Sequence, residues 1–375
     1  MALIGLDARP IYQPKLSGIG NYCHNLLRQC FELSPHQFRF YYDTEPLKKP
    51  FPLGERVSDR WIAPKASRLH FWEQASLPWH LAKDRVSLFH STANTLPFVQ
   101  SCPTVLTLHD MILSLRDEGE SAHMLFYWRR LMPWCIRKAA RIITDSEHSK
   151  NDIVKILGIG EEKIRVIYQG VDGFFFRLET LRAEAEAEDA QLPSQFMFLI
   201  GAASPRKNVR RAIEAFIFLK KRHNLPTKLV MTVSDPAQKA TWIQQLTEHN
   251  LQNEALLLDY VSPEKLRLIY NRAAVFIYPS LYEGFGLPLL EAMACGAPVV
   301  SSNASCLPEI AGAGALYFDP RSVSEMAAAL AKVLTDSQTA DRLRSEGMAR
   351  ARHFSWAKAA EATLAVYEEV LHGAR

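Results

Sequence analysis

Residues 273–300, AAVFIYPSLYEGFGLPLLEAMACGAPVV, leave the chain few ways to fold. The apolar run Ala273 to Tyr278, ended by Pro279, predicts a short buried strand. Glu283-Gly284-Phe285-Gly286 is loop chemistry, and its glycines let backbone come close to a ligand. Leu287 to Cys295 predicts a helix with Pro288 tolerated in its first turn; Gly296 ends it, and Ala297 to Val300 returns as a strand. The amides of Phe285, Gly286 and Leu287 then lie at a helix N-terminus, where an anion is stabilised. Glu283 sits in the loop over that end, and Glu291 farther along the helix.

The same alternation recurs through the chain. Strands are predicted at Leu3–Leu6, Phe38–Tyr42, Val86–His90, Ile164–Tyr168, Phe196–Ile200, Lys228–Val233 and Ala255–Leu258, with two more ending at His109 and near Asp145. Helices are predicted after Gly20, at Phe71–Lys83, 147–157 (capped by Ser146), Val209–Arg222 (capped by Asn208), Gln238–Asn250, 322–335 and 338–352. Residues 44–70, rich in Pro, Lys and Arg, predict an irregular surface segment. The fold class is α/β, with two Rossmann-like domains facing across a cleft, and 375 residues suffice for two cores. The first domain is expected over 1–172. A linker over 173–194 contains the charged run 182–190, and the second domain follows over 195–354. An amphipathic helix over 355–375 is expected to cross back to the first domain.

Composition narrows the function. A net charge of +4 is too small to argue for nucleic acid. Six scattered cysteines show neither C-x-x-C pairing nor zinc-like spacing, as expected of reduced thiols in a cytoplasmic protein. No basic n-region opens the sequence and no run of about eighteen apolar residues occurs, so neither signal peptide nor transmembrane helix is expected.

Three further stretches carry chemistry. Ser17-Gly18-Ile19-Gly20-Asn21-Tyr22 follows the first strand and opens a helix, placing backbone donors at the cleft. Cys23 occupies the place of a third glycine, so this is not a dinucleotide fingerprint. His109-Asp110 closes a strand at its carboxyl end, where ligands of open α/β sheets bind; Asp110 either meets a ligand or caps the following turn. Arg206-Lys207 precedes a helix, an arrangement that is electrostatically unfavourable unless an anion binds there. A fourth stretch, 124–141, mixes aromatics with Arg129, Arg130, Arg137 and Lys138; it suits either a core-facing helix or peripheral contact with an anionic membrane.

Glu283 and Glu291, with the E-G-F-G-L-P filling between them, closely resemble the E-x7-E signature of retaining GT-B glycosyltransferases of family 4. P-R-K-N at 205–208, S-E-H-S at 146–149, the Gln169-Gly170-Val171-Asp172 turn and Pro308-Glu309 also resemble family segments, so the resemblance spans nearly the whole chain. Gln169 departs from the usual Asn, and Ala202 stands where some members have an arginine.

The resemblance implies roles. Arg206 and Lys207 would hold the donor diphosphate, and His109 would contact the transferred sugar through carbonyl or ring. Glu283 would grip sugar hydroxyls rather than act as nucleophile, and Glu291 would hold a ribose. Gly18, Gly20, Phe285, Gly286 and Leu287 would approach the donor, with Tyr260 and Val261 beside its base. Asn21, Tyr22 and Asp110 would face the acceptor. No D-x-D occurs, so no metal and no cofactor beyond the nucleotide-sugar substrate is expected. The pattern looks most like bacterial mannosyltransferases of polysaccharide or lipopolysaccharide assembly, which implies GDP-mannose and a saccharide or lipid-linked acceptor. UDP-glucose and GDP-fucose are alternative donors, and a GT-B-type sugar-nucleotide epimerase is an alternative class.

Overall fold

A computed structural model describes residues 1–13, 16–45, 50–52, 54–63, 71–115, 121–178, 192–201, 204–223 and 225–373. The chain forms two compact units: Met1–Gly170 with Ser355–Arg375, and Val171–Phe354. The charged run 182–190, most of the expected linker, and Ala202 lie outside the described residues.

The first unit is built on a seven-stranded parallel sheet. Its strands are β1 (Leu3–Asp7), β2 (Gln37–Tyr42), β3 (Val57–Trp61), β4 (Leu88–Ser91), β5 (Thr104–Thr107), β6 (Arg141–Thr144) and β7 (Ile164–Val166), in the spatial order β3-β2-β1-β4-β5-β6-β7. The second unit carries β8 (Phe196–Ile200), β9 (Lys228–Thr232), β10 (Ala255–Leu258), β11 (Val275–Tyr278), β12 (Val299–Ser302) and β13 (Ala315–Phe318), ordered β10-β9-β8-β11-β12-β13. In both sheets the order reverses beside the first strand, between β1 and β4 and between β8 and β11. Ligands of such sheets bind at that switch, beyond the carboxyl ends of the strands.

Both faces of the second sheet are buried, which is why its strands read as unbroken apolar runs. Phe196 and Phe198 of β8 pack with Tyr270 and Phe276 on one face. Their neighbours Met197 and Leu199 pack with Ile213, Phe216 and Ile277 on the other. The helix Trp356–Gly373 belongs to the first unit. There Tyr367 Oη meets His90 Nδ1 at 2.6 Å, and Glu369 accepts from Arg141 (2.6 Å) and Arg165 (2.8 Å).

Four sequence expectations are corrected. Within 44–70, Val57–Trp61 is a strand paired in parallel with β2, Phe38 opposite Val57. Its sequence VSDRW lacks an apolar run because it is an edge, held by its backbone ladder and by Tyr42 Oη donating to Asp59. Phe71–Lys83 and 124–140 are not continuous α-helices. Each contains a π-helical turn, Trp72–Ser76 and Tyr127–Leu131, followed by a helix whose second residue is Pro78 or Pro133. Proline has no N–H for an i→i−4 bond, and the wider turn accommodates that gap. Finally, Asn208 does not act as a simple helix cap. Its φ is +57° and its amide Nδ2 donates across the sheet edge to the carbonyls of Pro279 (3.0 Å) and Pro320 (2.8 Å).

Candidate active site

In the second unit, the loops after β8 and β11 meet at the switch point. Gly201 follows β8, and a Cβ there would lie 2.2 Å from the Thr232 carbonyl, so only glycine lets the two strands close up. The 3-10 turn Pro205–Lys207 then presents Arg206 and Lys207. The Arg206 carbonyl accepts from the Leu281 amide at 2.7 Å, joining this turn to the loop carrying Glu283.

Glu283 is the pivot. It is 6 % exposed, accepts from Lys207 Nζ at 2.6 Å and accepts from Arg206 Nη1 at 2.7 Å. Burial pushes its carboxyl up, but Lys207 and Arg206 more than reverse this and hold it at about 2. Ser305, at φ +60°, clamps the Glu283 backbone: its Oγ donates to the Glu283 carbonyl (2.5 Å) and accepts from the Glu283 amide (3.1 Å). A non-glycine residue in that conformation costs on the order of 1 kcal/mol and persists where the surroundings fix it. The cluster of two cations and one carboxylate has a formal charge of +1, so it can accept a diphosphate.

The helix Leu287–Ala294 begins beside this cluster. Its N-cap is Gly286, at φ +101°, which supplies no capping side chain. Phe285, Gly286 and Leu287 therefore stand at a positive helix end, with the Phe285 side chain itself packed in the core. Glu291 lies about one turn on. Its carboxylate accepts from Tyr270 Oη at 3.2 Å, and burial pushes its pKa up to about 7, aided by the charge of Asp172. Tyr260 is 67 % exposed beyond the edge strand β10, while half-buried Val261 packs on the core.

His109, Gly18, Gly20, Asn21, Tyr22 and Asp110 belong to the first unit. Gly18 opens the helix Gly18–Leu33 with open space where a Cβ would point, whereas a Cβ on Gly20 would meet the Pro10 carbonyl at 2.8 Å. Asn21 is exposed. Tyr22 is only 2 % exposed. Its phenol pairs with Thr107 Oγ1 (3.1 Å) and its ring stands edge-on to His109, so it has no surface left for an acceptor and supports the histidine instead. Asp110 accepts the Ile112 amide at 2.9 Å, capping the next turn.

His109 is committed at every polar atom. Its amide donates to Asn94 Oδ1, its carbonyl accepts from Ser149 Oγ, Nδ1 meets Asp145 Oδ2 at 2.6 Å and Nε2 meets the Thr92 carbonyl at 3.2 Å. A carboxylate and a carbonyl can only accept from the ring, so both nitrogens carry protons and the ring is imidazolium. Burial opposes that charge, but Asp145 outweighs it and raises the pKa. Adjacent His90 lies the other way: burial and the His109 charge push it down to about 3, so it stays neutral between Tyr367 and Thr107. Gln169 Nε2 also donates to Asp145, at 2.7 Å. Sequence reading missed Asp145, Tyr270 and Ser305; only the polar run T-D-S-E-H-S pointed toward the first. Among the described residues, no three His, Cys, Asp or Glu side chains gather into a metal-like cluster.

Two parallel doubly wound units, one with a cationic cluster at its switch point, define a GT-B glycosyltransferase. The Glycosyltransferase Family 4 model matches residues 16–173 and the Glycosyl transferases group 1 model matches residues 182–350; the chain belongs to this family. It is 28 % identical over 291 residues to O-antigen chain mannosyltransferase B of Escherichia coli, covering 77 % of this chain and 76 % of that one. It is 27 % identical over 279 residues to the serotype-specific mannosyltransferase WbdA of Escherichia coli, covering 72 % of this chain but 34 % of that longer protein. Among solved structures, sucrose-phosphate synthase from Thermosynechococcus elongatus superposes with a TM-score of 0.78 over the full length of both chains; at 19 % identity this likeness concerns the fold.

Proposed function

We propose that this glycosyltransferase is a retaining enzyme that moves mannose from GDP-mannose to a saccharide or lipid-linked saccharide in cell-surface polysaccharide or lipopolysaccharide synthesis. The carrying observation is the Arg206–Lys207–Glu283 cluster at the β8/β11 switch point. The choice of mannose is supported by the names of the bacterial relatives.

Arg206 and Lys207 neutralise the leaving diphosphate, which is the main catalytic effect in this reading. The bond between the anomeric carbon and the diphosphate oxygen breaks as the acceptor oxygen bonds to the same face. The acceptor proton passes to a departing phosphate oxygen. Both oxygens of Glu283 are held by the two cations, which favours positioning over nucleophilic attack. No metal is needed, because the cations and the Gly286 helix end supply the positive charge.

The test is thermal stabilisation by GDP, UDP and their sugars with EDTA present, followed by product NMR. A selective shift with GDP and GDP-mannose and an α-linked product are expected. A selective UDP shift moves the donor to UDP-glucose or a relative, and an inverted linkage overturns retention. Release of free sugar and nucleotide without any acceptor dependence would instead fit an epimerase.

Segment 124–141 supports peripheral membrane contact at the inner face. Phe126 and Trp134 are more than half exposed, Lys138 Nζ lies 3.5 Å from the Trp134 ring centre, and Arg129 and Arg130 are exposed. No helix among the described residues is long and apolar enough to cross a membrane. Co-flotation with phosphatidylglycerol vesicles should fall in a Phe126→Ala/Trp134→Ala variant; unchanged flotation overturns the contact.

A further inference from the structure

The first unit holds a pocket of about 350 Å³ at the carboxyl ends of β1 and β4, next to the Gly18 loop. That lies within the range of small-ligand sites, roughly 300–1,000 Å³. Its lining includes Arg9, Asp43, Glu73, Met124, Tyr127 and Trp128. None of the residues assigned above to donor or acceptor lines it.

The polar floor is rigid. Glu73 is 3 % exposed, and its carboxylate accepts from Arg9 Nη2 (2.9 Å), Thr95 Oγ1 (2.6 Å), Gln74 Nε2 (2.9 Å) and Tyr127 Oη (2.8 Å). Four donors fill the accepting sites of one carboxylate. Arg9 is pinned from the other side by Asp7, through Nε at 3.0 Å and Nη2 at 2.6 Å, with its guanidinium 4.7 Å from the Trp72 ring centre. Its Nη1 has no protein partner among the described residues and remains a fixed donor. Above this floor, half-buried Trp128 and Met124 form an apolar wall.

Charge decides the ligand class. Among the described residues, the lining carboxylates Asp43 and Glu73, with Asp7 behind Arg9, stand against the one guanidinium of Arg9, a formal −2. Burial and Glu73 raise the Tyr127 pKa, so its phenol stays neutral. A phosphate or carboxylate would meet net repulsion. A neutral pyranose fits: its C–H face lies on the aromatic wall, and its hydroxyls meet the Arg9 donor and the Asp43 acceptor.

We propose that this pocket binds a neutral hexose of the acceptor glycan, and that it rejects uronic acids and sugar phosphates. The proposal rests on the saccharide-acceptor reading above and specifies which residues meet that sugar.

Saturation-transfer NMR on the full chain, with methyl α-D-mannopyranoside and sodium glucuronate as probes and saturating GDP present, tests it. Mannoside signals are expected from the wild type and none from glucuronate. Trp128→Ala should lose the mannoside signal and raise acceptor KM about tenfold, with the GDP-induced melting shift retained as proof of folding. Asp43→Lys, which moves the formal charge from −2 to 0, should weaken mannoside and admit glucuronate. An undiminished mannoside signal in both variants, or equal binding of glucuronate by the wild type, overturns the proposal. Failure of any nucleotide to shift the wild-type melting temperature would instead count against the donor reading, while the NMR still reports on the pocket.

Discussion

The Lys207 ammonium and the Glu283 carboxylate stand 2.6 Å apart although 76 residues separate them in the chain. The partners come from loops after β8 and β11, strands paired in parallel with Phe198 opposite Phe276. The cation proposed to meet a diphosphate is thus aimed by the carboxylate of the E-x7-E stretch.

Removing that carboxylate should separate aiming from charge. Glu283→Gln removes the negative charge that Arg206 and Lys207 share, and transfer should fall roughly 100-fold or more, the scale of losing one preorganised electrostatic contact. Lys207→Ala should do the same while also weakening GDP binding. Transfer assays with calorimetry of GDP binding would check both, and wild-type turnover in either variant would refute the assignment.

Acid stability should report the same carboxylate. Its pKa is depressed from 4.5 to about 2, so its stabilisation is complete above about 4.5 and disappears as pH falls toward 2. That lowering corresponds to about 3 kcal/mol. Urea unfolding between pH 6 and 2 should show a loss of that order that Glu283→Gln largely lacks.

Glu291 should behave with the opposite sign. Its pKa is raised to about 7, so its contribution is present below 4.5 and fades as pH rises through 7. The melting temperature of Glu291→Gln relative to wild type should therefore improve from pH 5 to 8. A ribose donating hydroxyls to the carboxylate favours the ionised form, so GDP binding near pH 6.5 should release protons. Calorimetry in buffers of different ionisation enthalpy reads that release, and identical observed heats in all of them would contradict it.

Asp145 should set the protonation of His109. Asp145→Asn removes the partner 2.6 Å from Nδ1, leaving the neutral ring favoured. Ring-nitrogen NMR should show imidazolium persisting above pH 6.5 in the wild type and lost at lower pH in the variant. Because the folded pKa is raised, the pair stabilises fully below 6.5 and less as pH climbs past the folded value. A variant ring that titrates like the wild type would show that the pair does not govern the charge.

The sequence by itself determined the α/β class, most strands and helices, and the placing of Arg206-Lys207 and Gly286 just ahead of helices. These are local properties: a doubly buried parallel strand needs a continuous apolar run, and a helix start is written in its own loop. Edge strand β3 escaped because its ladder, not its side chains, holds it, and the π turns escaped because helical periodicity carries no mark of a widened turn. Only the tertiary structure decided which groups are free to meet a ligand. Tyr22 and His109 stand beside glycine-loop and strand-end motifs, yet burial and hydrogen bonding from Thr107, Asp145 and Thr92 commit them to the interior. Arg9, Glu73 and Trp128, unremarked in the sequence, line an open pocket instead. Protonation and access depend on neighbours tens of residues away, and no local pattern specifies those.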